Sequence, residues 1–100
     1  MDRYIVIFGR NYNNLVIGEL TFTNDGNYIY NDRHKSNDKG YRVSQMMKLV
    51  YVYPYDDALY HKYKNVKDPE ILQLLFKKLK DKMLNRKQIE KKYGEQVHDT

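Results

Sequence analysis

The hydrophobic period changes part-way along this chain, and that change restricts it to folds that join a sheet to helices. Up to Pro54 the apolar residues come as short β-branched and aromatic runs; from Pro69 they recur three and four apart. Alternation lines one face of a strand, whereas three-four spacing lines one stripe of a helix. Tyr4 to Phe8 (Tyr-Ile-Val-Ile-Phe) is apolar at every position, the pattern of a central strand buried on both faces. Leu15 to Thr23 reads as a second strand, with Val16, Leu20 and Phe22 on one face and Gly18 among them. A glycine there suggests a bulge or a close backbone approach. Asn24-Asp25-Gly26-Asn27 predicts a tight hairpin, because positive φ costs little at Asp-Gly, and Tyr28 to Asn31 is the returning strand.

Asp32 to Gly40 is polar and without period, so it reads as a surface loop; Tyr41 to Lys48 suits either a short helix or a strand. Leu49 to Tyr53 returns to strand character and Pro54 ends it. A short helix fits Asp56 to Tyr63, with Leu59, Tyr60 and Tyr63 inward. Asp68-Pro69-Glu70 is a helix start: a capping acceptor, a proline at the first helical position, then an acid near the positive end of the dipole. Leu72, Leu75, Phe76, Leu79 and Met83 form the stripe that follows. Asn85 with Gln88 resembles a loose capping box for a second helix that Gly94 ends.

The expected fold is α+β: an antiparallel sheet of about four strands, built on an N-terminal meander, with C-terminal amphipathic helices packed on one face. One domain covers residues 1–100, strand-rich over 3–53, helical over 56–94 and frayed over 95–100. The expected core is Ile5, Ile7, Val16, Leu20, Phe22, Val50, Val52, Leu72, Leu75, Phe76 and Leu79.

Composition narrows the partners. Hydrophobic residues make up 41% of the chain and charged residues 31%, which is globular rather than disordered. The absence of cysteine excludes disulfides and thiolate chemistry. With no membrane-length apolar run and no secretory leader pattern, the expected compartment is the cytoplasm. A net charge of +5 and a pI near 9.3 favour acidic partners. The abundance of Lys, Asn, Tyr and Ile also matches A/T-rich codon usage, which raises lysine without any phosphate to bind.

Two surfaces carry the functional expectation. If helix continued unbroken through Asn85, Lys77, Lys80, Lys87 and Lys91 would form a row roughly 20 Å long opposite the apolar stripe, a reach suited to several phosphates. Arg86 adjoins this row. Tyr28 and Tyr30 share one strand face, and Tyr51 and Tyr53 share another. Neighbouring strands would merge them into a four-ring patch for stacking bases or for protein recognition. Packing within the sheet explains the tyrosines equally well. Arg33, Lys35 and Lys39 in the polar loop could add phosphate contacts, although the loop lacks the glycines of a phosphate cradle.

Catalysis has little support. His34, His61 and His98 are isolated; Asp57 and His61, at i and i+4, could hold one edge of a metal site, but no third ligand is recognisable. No cofactor or resident metal is expected. Asn85 to Gly94 resembles the first helix of a helix-turn-helix, yet six residues are too few for a recognition helix, so the resemblance points to a helix ending at Gly94. Ile17-Gly18-Glu19-Leu20 with Gly26 to Tyr30 is similar to the opening meander of HipA-type kinases and their partner proteins. That likeness covers about fifteen residues of common types, without the later family motifs. The expectation is a small non-enzymatic basic protein that binds nucleic acid or a nucleoprotein complex, in the manner of a phage or mobile-element accessory or inhibitor protein. The alternatives are a protein–protein inhibitor or adaptor using a tyrosine-rich face and, less favoured, a small metal-dependent nuclease.

Overall fold

The fully apolar N-terminal run becomes the centre of the sheet. In a computed structural model of the chain, which describes residues 2–23, 27–32, 35, 36, 41, 42 and 48–94, β1 (Asp2–Gly9) pairs with β2 (Leu15–Phe22) on one side and β6 (Leu49–Pro54) on the other. Strand β3 (Asn27–Asp32) pairs with β2. The four long strands therefore stand in the order β3-β2-β1-β6, all antiparallel. Two-residue strands trim the edges: β4 (Lys35–Ser36) and β5 (Tyr41–Arg42) both pair with β3, and β7 (Leu84–Asn85) pairs with β6. Short edge strands limit the backbone left open for further pairing.

The first hairpin closes at Gly9, where a Cβ would collide with the Asn14 carbonyl oxygen. Only glycine fits so close an approach. Gly18, by contrast, marks no bulge, because the register runs without a slip through Val6↔Gly18 to Phe8↔Val16. The second hairpin pairs Phe22 with Tyr28, while its Asn24–Gly26 turn lies outside the described residues. So do most of the polar loop and residues 43–47; within the loop, Lys35 and Ser36 are strand rather than irregular.

Helix α1 (Asp57–Tyr63) starts at Asp56, whose carboxylate accepts the Leu59 N–H at 3.1 Å. Helix α2 (Pro69–Leu79) starts at Asp68, whose carboxylate accepts the Glu70 N–H at 2.9 Å. Both satisfy amides that the first helical turn leaves without carbonyl partners. A single 3₁₀ turn, Lys80–Lys82, ends α2, and Met83 is extended. At Asn85 the capping box is complete: the Gln88 N–H donates to Asn85 Oδ1 at 2.9 Å, and the Asn85 N–H donates to Gln88 Oε1 at 2.8 Å. It opens α3 (Arg86–Ile89), whose turns widen to π spacing over Glu90–Gly94.

The helices do not all lie on one face. Ile5, Ile7, Leu15 and Ile17 meet Leu72, Leu75, Phe76, Leu79 and Met83, with Leu59, Tyr60 and Tyr63 of α1 at the margin. On the opposite face Tyr4, Val6, Leu20, Phe22, Val50 and Val52 are covered by Ile89 and Tyr93 of the last helix. The physical reason is β7: Leu84 and Asn85 pair with Val52 and Tyr51 at the sheet edge, so the chain rounds that edge between α2 and α3. The expected core residues are buried with one exception. Val16 is 48% exposed, because Tyr93 stacks on Phe22, and six residues of strand place Val16 about 20 Å from it.

Candidate functional site

The break at Asn85 decides the fate of the lysine row. Lys77 and Lys80 sit at the end of α2 and in the following 3₁₀ turn; Lys87 and Lys91 sit on the last helix, across the sheet edge. They do not form one straight row. What replaces it is a basic edge: residues 77–92 hold eight cations and two acids, wrapped around β7. Lys77, Lys78, Lys80, Lys82, Lys87, Lys91 and Lys92 are all exposed. The lysines at the end of α2 also complement the negative end of its dipole. Arg86 is half-buried, and its Nε donates to Glu90 one turn on at 2.9 Å, so it belongs to a helix-surface pair as well as to the edge.

The four tyrosines are not one patch. Tyr28 is opposite Phe22 and Tyr30 opposite Leu20, whereas Tyr51 is opposite Ile7 and Tyr53 opposite Ile5. Directly paired residues share a face, so the two tyrosine pairs lie on opposite faces, with β2 and β1 between their strands. Tyr51 packs edge-on to Phe76 at 4.6 Å between ring centres, and Tyr53 is partly buried beside it in the core under α2. Tyr28 packs against Phe22, 6.4 Å centre to centre. Arg33 and Lys39 lie outside the described residues, and Lys35 is placed opposite Asp32 at the β4–β3 edge.

Asp57 and His61 do approach each other, with Nε2 and Oδ1 3.3 Å apart. The Tyr55 hydroxyl donates to the same carboxylate at 3.1 Å, and the Arg3 guanidinium lies 3.7 Å above the Tyr55 ring while pairing with Glu19. Burial, then the bond to Asp57, raises the Tyr55 pKa; the hydrogen bond to Glu19 is the main cause that raises that of Arg3. Such a chain of pairs ties β1, β2 and α1 together. Among the described residues no group of three His, Cys, Asp or Glu side chains is placed to hold a metal.

A second polar cluster has no counterpart among the sequence-based expectations. The buried Tyr93 hydroxyl donates to Asp2 at 2.6 Å and lies 2.7 Å from the Tyr4 hydroxyl, to which Lys92 Nζ donates at 3.3 Å. The Tyr93 ring stacks on Phe22, 4.0 Å centre to centre and 8° from parallel. Burial first, then the bonds to Asp2 and Tyr4, push the Tyr93 phenol well above its ordinary range. Ile89 and Tyr93, four residues apart, are the signal that could have found it: they are the apolar pair on an otherwise charged helix.

No protein-family model, curated protein or solved structure matches this chain.

Proposed function

We propose that this is a non-enzymatic binding protein for nucleic acid or a nucleoprotein complex, which holds phosphates at the basic edge around β7. The observation that carries this reading is the density of exposed cations over residues 77–92, on both sides of one sheet edge. Lys77, Lys80, Lys87 and Lys91 are the phosphate contacts, with Arg86 beside them. Phosphate contacts neutralise charge and release counterions, and they carry no sequence information themselves. Because Tyr51 and Tyr53 are engaged with the core, binding at this edge relies on charge more than on stacking. The cytoplasm is the compartment that fits this role; among the described residues no helix is long and apolar enough to cross a membrane.

The test is fluorescence anisotropy with a short labelled DNA duplex, comparing the wild type with Lys77→Glu, Lys80→Glu, Lys87→Glu and Lys91→Glu combined. The wild type binds, with affinity falling steeply as salt rises, and the charge-reversed protein does not. Binding that survives all four reversals overturns the proposal and leaves these lysines as a solvated surface.

A further inference from the structure

The side chains of the basic edge best suited to reading a base are already engaged. Over residues 77–92 the planar donors, which fit a base edge at two fixed points, are Asn85, Arg86 and Gln88. Asn85 and Gln88 each accept the other's backbone N–H in the capping box, at 2.9 and 2.8 Å. Arg86 donates to Glu90 at 2.9 Å. The remaining cations are lysines, compact charges on flexible stems that meet phosphate as points. The same stretch has no aromatic side chain. Two nearby rings are committed to the core: Tyr93 stacks on Phe22, and Tyr51, opposite Asn85, is edge-on to Phe76. Proteins that hold single strands without regard to sequence combine a cationic groove with rings on which bases stack. This edge has the charge without the rings.

The charge also stands on two faces. Lys77 and Lys80 belong to α2 and the turn that ends it, over one face of the sheet, and Lys87 and Lys91 to the last helix, over the other. Two layer spacings of about 10 Å separate those helices, roughly 20 Å in all. The walls of a B-form major groove stand about 12 Å apart and belong to different strands, within reach of flexible lysine stems converging from that spacing. From this we infer that the edge around β7 takes a nucleic-acid duplex, by the phosphates of both strands and without regard to sequence; this rests on the nucleic-acid reading above and narrows it. A duplex holds two rows of phosphate in place, one for each lysine pair. A single strand supplies one row, and must fold round the edge to meet both pairs, at a cost in ordering that no stacked ring offsets.

The probes are fluorescein-labelled oligonucleotides about two helical turns long, roughly 20 base pairs. They are a DNA duplex, an RNA duplex, the separate strands of each, and each duplex again with its base pairs in scrambled order. Anisotropy titrations at one salt concentration compare the wild type with Lys77→Glu plus Lys80→Glu and with Lys87→Glu plus Lys91→Glu. All four sites are exposed, and far-UV circular dichroism checks that the fold is kept. The wild type binds at least one duplex about tenfold or more tightly than that duplex's own strands, and the DNA and RNA arms tell which. Either half-reversal brings this ratio below about threefold, because one row of phosphates loses its partners. Original and scrambled duplexes bind within about threefold of each other, whereas one good bidentate base contact discriminates roughly 5- to 150-fold. Single strands that bind as tightly as their duplexes, or a ratio that both half-reversals leave unchanged, overturn the inference while the wider nucleic-acid reading stands. So does a preference above about tenfold between original and scrambled sequence. Absence of binding to every probe overturns both.

Discussion

Helices α2 and α3 close opposite faces of one sheet by different means. Helix α2 buries four side chains of its own stripe, and Met83 beyond it joins the same core. The last helix buries Ile89 and Tyr93, and adds a network of hydroxyl groups that ties it to Asp2 and Tyr4. Hydrophobic burial is non-directional and roughly proportional to area. A short helix with little area needs directional bonds to fix its position. Helix α2 has a directional tie as well, Gln73 Nε2 donating to the Tyr12 carbonyl at 2.9 Å, but that bond is exposed, whereas the hydroxyl pair of Tyr93 and Tyr4 is buried.

Breaking the larger face should have the larger effect. Phe76→Ala removes the ring that meets Tyr51 and Tyr12 and should cost about 3–5 kcal/mol of unfolding free energy in urea titrations. Ile89→Ala should cost about 2–5 kcal/mol, with the loss confined to its own face. Amide exchange sharpens the point: residues 86–93 should lose protection while α2 keeps its own. Equal loss in α2 would show that the two faces are one cooperative unit.

Tyr93→Phe keeps the ring stacked on Phe22 but removes the donor to Asp2, and should cost about 1–3 kcal/mol. This phenol is held protonated in the fold, so its contribution is fully present below the unfolded tyrosine pKa of about 10 and is lost as pH rises beyond it. Wild-type stability should therefore fall between about pH 10 and 11 more steeply than that of Tyr93→Phe, by at most about 1.4 kcal/mol per pH unit. Parallel curves for the two proteins would remove the hydroxyl network from the account. Asn85→Ala gives the smallest effect, about 1 kcal/mol of destabilisation from removal of the cap. Its sign is informative, because alanine would stabilise an unbroken helix at that position.

The same contrast explains what was legible in the sequence. Strand β1 stands out because its apolar run is unbroken, and the stripe of α2 because it keeps one helical period. The Asn85–Gln88 capping box could also be read as a local pattern. The route of the chain around β6 could not, since two residues of β7 carry no period and their pairing with Tyr51 and Val52 is long-range. That short pairing moves Lys87 and Lys91 across the edge from Lys77 and Lys80. The tyrosine patch failed for a related reason. Strand faces follow from the sequence, but which strands are neighbours depends on long-range pairing, and β1 and β2 lie between β3 and β6. Val16 departs from expectation because its face is the covered one, while the helix covering that face ends nearer Phe22.

The central claim is that two lysine pairs on opposite sides of the β7 edge act as one binding surface. The most direct measurement is the salt dependence of duplex affinity for two half-reversed proteins, Lys77→Glu with Lys80→Glu and Lys87→Glu with Lys91→Glu. Each half-reversal should weaken binding of the same duplex and flatten the plot of log affinity against log salt, by about one unit of slope for each phosphate no longer neutralised. A half-reversal that leaves both affinity and slope at wild-type values would contradict it.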